Sequence, residues 1–281
     1  MALRLDSHQH FWHHNETDYG WMGHNILKQD YLPAHLDPYL RDHGLHGTIA
    51  VQARHIDRET DFLLQLQSEN SFIKGVVGWV DPEAESLQST LSRYAGKVSG
   101  FRLSLDEDPD GDRILGASFQ RGIRMLDDFS YTVDLLIRPN HLNNCARLAD
   151  KFPDQSFVIN HLAKPDYSET GFKSWASDIK NLSKRKNVFC KISGMVTELP
   201  PQNPEDNELD IGHYLPYLDQ ALEHFTPQRL MFGSDWPLCT LTATIDEVYD
   251  IANLYIGKLS THEQNFIMGE SAARFYNIQP T

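Results

Sequence analysis

Eight short apolar runs recur along the chain, and the segments between most of them have helical spacing. The runs are rich in Val, Ile, Leu and Phe and lie at Ala2–Ser7, Gly47–Gln52, Ile73–Val80, Ser99–Leu105, Tyr131–Ile137, Ser156–Asn160, Asn187–Ile192 and Arg229–Gly233. Near-continuous apolar runs of this length are typical of parallel strands that are buried on both faces. Eight strands in 281 residues leave about 35 residues for each strand–helix pair, which is the spacing of an α/β fold of the (β/α)8 TIM-barrel type. We therefore predict a single-domain barrel over residues 1–281. A doubly wound open sheet is the alternative, and it would keep the first and last strands apart.

Apolar residues recur at helical spacing between the runs. The predicted helices lie at Thr60–Ser68, Glu83–Tyr94, Ala117–Asp127, Leu142–Lys151, Phe172–Lys184, Tyr214–His224 and Ile245–Ile256. Two stretches look irregular, the aromatic segment Phe11–Pro38 and the acidic, proline-rich segment Leu199–Ile211. Each follows a predicted strand, so we expect both at the carboxyl-terminal rim of the barrel, where long loops shape substrate access.

Charge and cysteine content narrow the class of protein. The net charge of −14 argues against nucleic acid or an anionic membrane as a partner. The chain has no apolar run near the roughly 18–20 residues that a membrane span needs, and no secretory signal is recognisable at its start. Its three cysteines are too few and too widely spaced for a disulfide framework or a zinc motif. We therefore expect a reduced, cytoplasmic protein, and its size suggests a monomer or a homodimer.

Titratable residues stand where three of the predicted strands end. His8 and His10 close the first strand, and because they are two residues apart their side chains point to the same face. His161 follows the sixth strand and Asp235 follows the eighth. In a closed barrel the first and last strands are neighbours, so Asp235 would lie beside the two histidines. Imidazoles and a carboxylate at one rim can bind a divalent metal or activate a water molecule.

Further polar residues occupy other strand ends. Gln52 and Arg54 end the second strand, Arg102 lies in the fourth and Lys191 in the seventh. A charged side chain inside an apolar run is costly unless it is paired or faces a functional cavity, so Arg102 and Lys191 are candidates for holding a substrate. Arg54 and also Arg138, at the end of the fifth strand, could equally be solvated. Each residue alone has an ordinary structural explanation, and the combination of His8, His10, His161 and Asp235 is what indicates function.

At these residues the chain resembles the amidohydrolase superfamily, and within it the amidohydrolase 2 branch of sugar lactonases and pyrone-dicarboxylate lactonases. The resemblance runs over nearly the full length, through the ordered blocks Asp6–Trp12, Asp30–Pro33, Gly47–Ala53, Gly75–Asp81, Gly100–Arg102, Asn160–Pro165, Cys190–Gly194, Gly233–Pro237 and Ala272–Tyr276. It implies an amidohydrolase-like barrel. The fourth strand lacks the lysine that would bridge two metals, and Lys191 replaces a histidine in the seventh. A single divalent metal, with zinc favoured, or no metal is therefore expected at His8, His10, His161 and Asp235.

The resemblance implies hydrolysis of a small-molecule sugar lactone, such as an aldonolactone of the L-fucono or L-rhamnono type. Asp235 would take a proton from the attacking water, assisted by the three histidines. Arg102, Lys191, Gln52 and Arg54 would hold the substrate, and Trp12, Trp21 and Trp236 would cover the sugar. The alternatives are a 2-pyrone-4,6-dicarboxylate lactonase, which would need several converging arginines, a metal-dependent decarboxylase or amide hydrolase on the same barrel, and a binding protein that has lost its chemistry.

Overall fold

The computed structural model describes residues 2–23, 26–166, 168–198 and 210–279, and of Trp21 it describes the backbone but not the side chain. Eight strands form one sheet in which neighbours in sequence are neighbours in space. All seven pairings of consecutive strands are parallel. The strands are β1 Leu5–Gln9, β2 Gly47–Val51, β3 Ile73–Gly78, β4 Gly100–Ser104, β5 Thr132–Leu136, β6 Phe157–Ile159, β7 Val188–Ile192 and β8 Leu230–Phe232.

Helices alternate with the strands along the chain. They are α1 Pro33–Asp42, α2 Asp57–Glu69, α3 Leu87–Arg93, α4 Ala117–Asp128, α5 Leu142–Lys151, α6 Glu169–Leu182, α7 Met195–Glu198, α8 Leu215–Phe225, α9 Ile245–Ile256, α10 Thr261–Asn265 and α11 Ser271–Phe275. This alternation confirms the predicted (β/α)8 TIM barrel. The predicted bounds of α5 and α9 are those of the structure.

The sheet closes through backbone contacts at the carboxyl-terminal end of β1. The amide of Asp235 donates to the carbonyl of His8 at 2.8 Å, and the amide of His10 donates to the carbonyl of Trp236 at 2.8 Å. Gln9 and Trp236 form a parallel bridge at the same place. The closure therefore sets the His-x-His pair beside the segment that follows β8, as the barrel prediction requires.

The prediction of irregular structure throughout Phe11–Pro38 is wrong at its end, because α1 begins at Pro33. Proline is favoured in the first turn of a helix, where its missing N–H would have no intrahelical partner. Pro38 lies inside the same helix, where proline costs a backbone hydrogen bond. The second predicted loop, Leu199–Ile211, falls outside the described residues over 199–209.

A second apolar cluster joins the strands to the end of the described chain. Buried residues of five strands, among them Leu5, Val77 and Met231, pack with Phe275 at the end of α11 and with Tyr276 directly after it. All three cysteines are buried and free. None of the helices in the described ranges combines the length and the apolarity that crossing a membrane requires.

Candidate active site

Three histidines surround one carboxylate oxygen at the carboxyl-terminal end of the barrel. The Nε2 atoms of His8, His10 and His161 lie 3.6, 3.4 and 3.8 Å from Asp235 Oδ1. All four residues are buried. Residue 8 lies in β1 and residue 10 directly after it, residue 161 lies in the turn after β6 and residue 235 in the segment after β8. The strand order therefore brings them together.

Two of these polar atoms lack a hydrogen-bond partner within the described part of the chain, although both are buried. They are His8 Nε2 and Asp235 Oδ1. Donor atoms of His8, His161 and Asp235 lie within 4.8 Å of one another and form a candidate metal site. His10 lies beside this set, and its Nδ1 is 2.8 Å from the carbonyl oxygen of Val51. A carbonyl only accepts, so a neutral His10 carries its proton on Nδ1 and presents the Nε2 lone pair to Asp235.

His161 stands in a left-handed turn that is unusual for side-chain-bearing residues. The φ angles of His161, Leu162, Ala163 and Lys164 are 54°, 54°, 63° and 50°, in a region that costs each such residue about 1–2 kcal/mol. Surrounding contacts offset this cost. Trp175 Nε1 donates to the carbonyl of Leu162 at 2.7 Å, and the amide of Lys164 donates to the carbonyl of His161 at 2.8 Å. The strain is local to the site, as is common at functional positions.

Two residues after β7 hold the His161 ring. Its Nδ1 lies 2.9 Å from Ser193 Oγ, which leaves Nε2 facing Asp235. Gly194 follows with φ +65°, and a Cβ on it would come within 2.4 Å of His161 Nδ1. A side chain at residue 194 would therefore displace the imidazole.

Burial decides the charges of the site. It lowers the pKa of His161 to about 3 despite the neighbouring Asp235, and it lowers the pKa of His8 well below the usual range, helped by Lys191. For Asp235, burial alone would raise the pKa, but His161, His10 and Arg102 together outweigh it and the pKa is lowered. At neutral pH the site therefore holds a carboxylate beside neutral His8 and His161.

Lys191 lies beneath the histidines in a fully buried polar network. Its Nζ is 2.7 Å from Asp134 Oδ2, 2.9 Å from the carbonyl oxygen of Ser7 and 3.2 Å from His8 Nδ1. The Tyr276 hydroxyl donates to the same Asp134 carboxylate. Lys191 and Asp134 have no exposed side-chain surface, so the structure places Lys191 under His8 and not at a substrate cavity.

A cavity of about 730 Å³ opens above the histidines. Two of the residues predicted to bind substrate, Arg102 and Arg54, line it. Arg102 donates from Nη2 to the carbonyl of Gln52, and its buried Nε has no partner in the described part of the chain. Arg54 is held by Asp18 at 2.7 Å and Glu59 at 2.6 Å, with its guanidinium 5.2 Å from the centre of the Tyr19 ring.

Other residues predicted to bind substrate lie elsewhere. Trp12 is buried within the first loop, where it packs on Tyr19 and Tyr31. Trp236 packs on Phe11 and Tyr31 and borders a neighbouring groove. The side chain of Gln52 is buried, and that residue is not among the described residues that line the cavity. The Trp21 side chain lies outside the described part, so its predicted contact with substrate stays a prediction.

Sequence reasoning missed several cavity residues, chief among them Lys164, Asp106 and Glu198. Lys164 Nζ lies 3.0 Å from Asp106 Oδ2 and 3.0 Å from Glu198 Oε1. A signal was present, because Lys164 comes three residues after His161 and directly before Pro165. Asp106 opens an acidic run that reads as a solvated loop, and Glu198 directly precedes the predicted loop at residue 199.

Comparison with known proteins places this architecture in a family. The amidohydrolase family model matches residues 5–278. The chain is 37% identical to an L-fucono-1,5-lactonase of Burkholderia multivorans, covering 99% of this chain and 97% of that protein. It is 31% identical to an L-fucono-1,5-lactonase of Burkholderia ambifaria, covering 86% and 82%.

A solved structure agrees with the sequence comparison. An amidohydrolase of Burkholderia multivorans with bound zinc superposes with a TM-score of 0.93 at 37% identity, covering 99% of this chain and 100% of that one. The barrel, the histidines at the end of β1 and the aspartate after β8 thus stand in a chain that matches the family over nearly its whole length. The protein belongs to the amidohydrolase family.

Proposed function

We propose that the protein is a lactonase, a carboxylic ester hydrolase that opens a sugar-derived lactone to the sugar acid. An aldonolactone of the L-fucono or L-rhamnono type is the proposed substrate, and the whole chain, residues 1–281, is the proposed catalytic unit. The observation that carries this proposal is the convergence of three histidines on the Asp235 carboxylate at the floor of a large cavity. The two curated lactonases at 37% and 31% identity support the class of substrate.

The residues present suit one divalent metal ion. His8 Nε2 and Asp235 Oδ1 are buried without hydrogen-bond partners among the described residues, as expected of atoms that a cation would satisfy. Their separation of 3.6 Å is close to the spacing of about 3.3 Å between two ligands of a tetrahedral zinc ion. We propose that His8, His161 and Asp235 hold zinc, with His10 adjacent. When bound, such an ion supplies Lewis acidity toward a carbonyl oxygen and acidifies water.

Asp235 is the proposed general base. It is a carboxylate at neutral pH, and it lines the cavity next to His10 and His161. It would take a proton from the water that attacks the lactone carbonyl carbon. The ring C–O bond then breaks, and the proton held by Asp235 passes to the leaving alkoxide, so that the product is the open hydroxy acid. No covalent intermediate with the protein is needed.

Arg102 is the proposed partner of the carbonyl oxygen. It lines the same cavity as Asp235, and its buried Nε has no partner in the described part of the chain. A guanidinium N–H aimed at the developing oxyanion stabilises the tetrahedral intermediate more than the ground state. Burial of the site strengthens this interaction, because little water competes for the donor.

The charges around the cavity favour a neutral substrate over a dicarboxylate pyrone. Among the described residues that line it, the cationic side chains are Arg54, Arg102 and Lys164, and the carboxylates are Asp18, Asp106, Glu107, Glu198 and Asp235. Two of these cations are already paired, Arg54 with Asp18 and Lys164 with Asp106 and Glu198. Apart from the proposed zinc ion, a doubly charged anion would therefore find only Arg102 outside an ion pair among these side chains, whereas the hydroxyl groups of a sugar lactone need no counter-charge.

Proton release from a substrate panel tests the proposal. The purified protein is offered aldono-1,4-lactones, aldono-1,5-lactones and 2-pyrone-4,6-dicarboxylate, with and without chelator and added zinc. We expect turnover of at least one sugar lactone, loss of turnover with chelator and recovery with zinc. Turnover that is unchanged by the chelator would show that the reaction needs no metal and would assign catalysis to Asp235 and the histidines.

Two outcomes would overturn the proposal. Turnover of the pyrone alone would move the substrate to a dicarboxylate. Silence on every lactone, combined with CO₂ release from an aromatic acid, would favour a decarboxylase on the same barrel.

A further inference from the structure

A cluster of three charged residues forms one wall of the cavity, and the proposed chemistry does not use it. Lys164 Nζ lies 3.0 Å from Asp106 Oδ2 and 3.0 Å from Glu198 Oε1. We call these residues the lysine clamp. They come from three different segments, the loop after β4, the turn after β6 and helix α7. All three line the same cavity as Asp235.

The left-handed turn connects the clamp to His161, which lies beside Asp235. Lys164 is the last residue of the run that begins at His161, and its amide donates to the His161 carbonyl at 2.8 Å. The same short turn therefore sets the position of an imidazole beside Asp235 and of the ammonium group between two carboxylates.

The clamp carries excess negative charge at a partly exposed surface. The side chains of Lys164, Asp106 and Glu198 are 13%, 16% and 26% exposed. Burial alone would lower the pKa of Lys164, but Glu198 and Asp106 outweigh it and raise the pKa. The pKa of Asp106 is lowered by Lys164 against the effect of burial. Lys164 and Asp106 are therefore charged at neutral pH, and the one ammonium group lies between two carboxyl groups.

This arrangement suits hydroxyl groups. A carboxylate has two oxygens and only accepts hydrogen bonds, and the contact with Lys164 engages one oxygen of each. The remaining accepting capacity can take hydroxyl hydrogens of a bound ring, and Lys164 fixes the distance between the two acceptors. A site built around such hydrogen bonds strongly rejects a substrate whose hydroxyl points elsewhere, because its buried polar groups lose their partners.

We propose that the lysine clamp reads the configuration of the ring hydroxyl groups and so decides which epimeric lactone the protein hydrolyses. This inference rests on the proposed lactonase function. The ion-pair cluster at Arg54 differs in that one of its carboxylates, Glu59, has no exposed side-chain surface. That cluster anchors Arg54, whereas both carboxylates of the clamp are partly exposed.

The test measures discrimination between epimers. Asp106→Asn and Glu198→Gln each remove one negative charge at nearly constant shape, and Glu107→Gln removes the same charge from a cavity residue outside the clamp. For each protein, kcat and KM are measured on the best lactone and on its epimer at one hydroxyl-bearing carbon. We expect the two clamp variants to reduce the ratio of the kcat/KM values at least tenfold, mainly through KM on the best lactone. Glu107→Gln should keep the parental ratio.

Thermal unfolding of each variant separates a lost contact from a lost fold. Lys164→Arg provides a further variant, because it keeps the charge at residue 164 but changes the spacing of the acceptors, and we expect it to alter the ratio too. A parent that hydrolyses lactones and folded clamp variants that keep its epimer ratio would overturn this inference and leave the lactonase intact. A parent that hydrolyses no lactone would overturn both. An equal fall in the kcat/KM ratio with Glu107→Gln would overturn the role of the clamp, because the loss of any negative charge in the cavity would then lower the ratio.

Discussion

At the scale of single residues, some buried polar groups of the site have hydrogen-bond partners and others do not. Lys191 is buried with three polar neighbours, so removing it would leave the buried Asp134 without its cation. His8 Nε2 and Asp235 Oδ1 are buried without hydrogen-bond partners in the described part of the chain. A buried polar atom that makes no hydrogen bond costs free energy of folding. Unpaired buried atoms that converge on one point are therefore the strongest residue-scale sign of a ligand.

Replacing Asp235 by asparagine should abolish most turnover. The change keeps the shape but removes the base that takes the proton from water, so kcat should fall by about 10²–10⁴-fold. Steady-state kinetics on the best lactone measures the effect, with exposed Asp128→Asn as the control expected to match the parent. A kcat within about threefold of the parent would contradict the role of Asp235 as base.

Replacing Lys191 by methionine should damage stability first. It leaves the Asp134 carboxylate buried beside His8 without its ammonium partner, and breaking a buried ion pair in this way costs about 3–5 kcal/mol. Urea unfolding measures the loss, and Lys173→Met, which breaks an ion pair whose lysine is 71% exposed, should cost less than about 1 kcal/mol. Unchanged stability with a raised KM would instead return Lys191 to substrate binding.

At the scale of elements, the turn after β6 supplies more residues to the cavity than the strand itself. The strand is only Phe157–Ile159, but the left-handed run behind it positions His161 and Lys164 together. Gly194, after β7, gives the His161 ring its space. Neighbouring segments therefore shape this wall of the cavity jointly.

Two glycine variants separate backbone strain from displacement of His161. Gly194 and Gly44 have φ angles of +65° and +64°, but only at Gly194 would a Cβ meet His161, since nothing lies within 4 Å at Gly44. The backbone strain of alanine should cost about 1 kcal/mol of unfolding free energy at either position, and at Gly194 the contact with His161 adds to this cost. Only Gly194→Ala should lose most of kcat as well. Equal activity of the two variants would show that the Gly194 position does not set the imidazole.

At the scale of the whole molecule, barrel closure assembles the proposed metal site. The contacts between the end of β1 and residues 235–236 join chain segments that are more than 220 residues apart in the sequence. A ligand set drawn from both ends exists only in the folded state. Metal binding should therefore be linked to folding.

Zinc should raise the thermal stability of the metal-free protein. An ion present at 100 times its dissociation constant stabilises the folded state by about 2.7 kcal/mol, which corresponds to a rise in Tm of several degrees. Differential scanning calorimetry with chelator and then with zinc measures the change. His161→Asn, which removes one donor, should lose most of it. An equal shift in this variant would place the zinc elsewhere.

The fold and the residues that meet at the candidate site were readable from local signals. Apolar runs at regular spacing gave the strand count, because burial on both faces of a parallel strand demands such runs. The ends of those strands carried His8, His10, His161 and Asp235, and the order of strands in a closed barrel was enough to predict their approach. The start of α1 was missed, because proline signals a helix start and an irregular loop alike.

Only the tertiary structure decided which polar residues face the cavity. Lys191 and Lys164 are both lysines near strand ends, yet the first is sealed beneath His8 by Asp134 and the second lines the cavity. The direction of a side chain depends on strand register and on backbone dihedrals. No local sequence pattern predicts the four successive left-handed residues after β6. The sequence alone therefore determined which polar residues stand at the strand ends. Packing between segments far apart in the chain decided which way their side chains point.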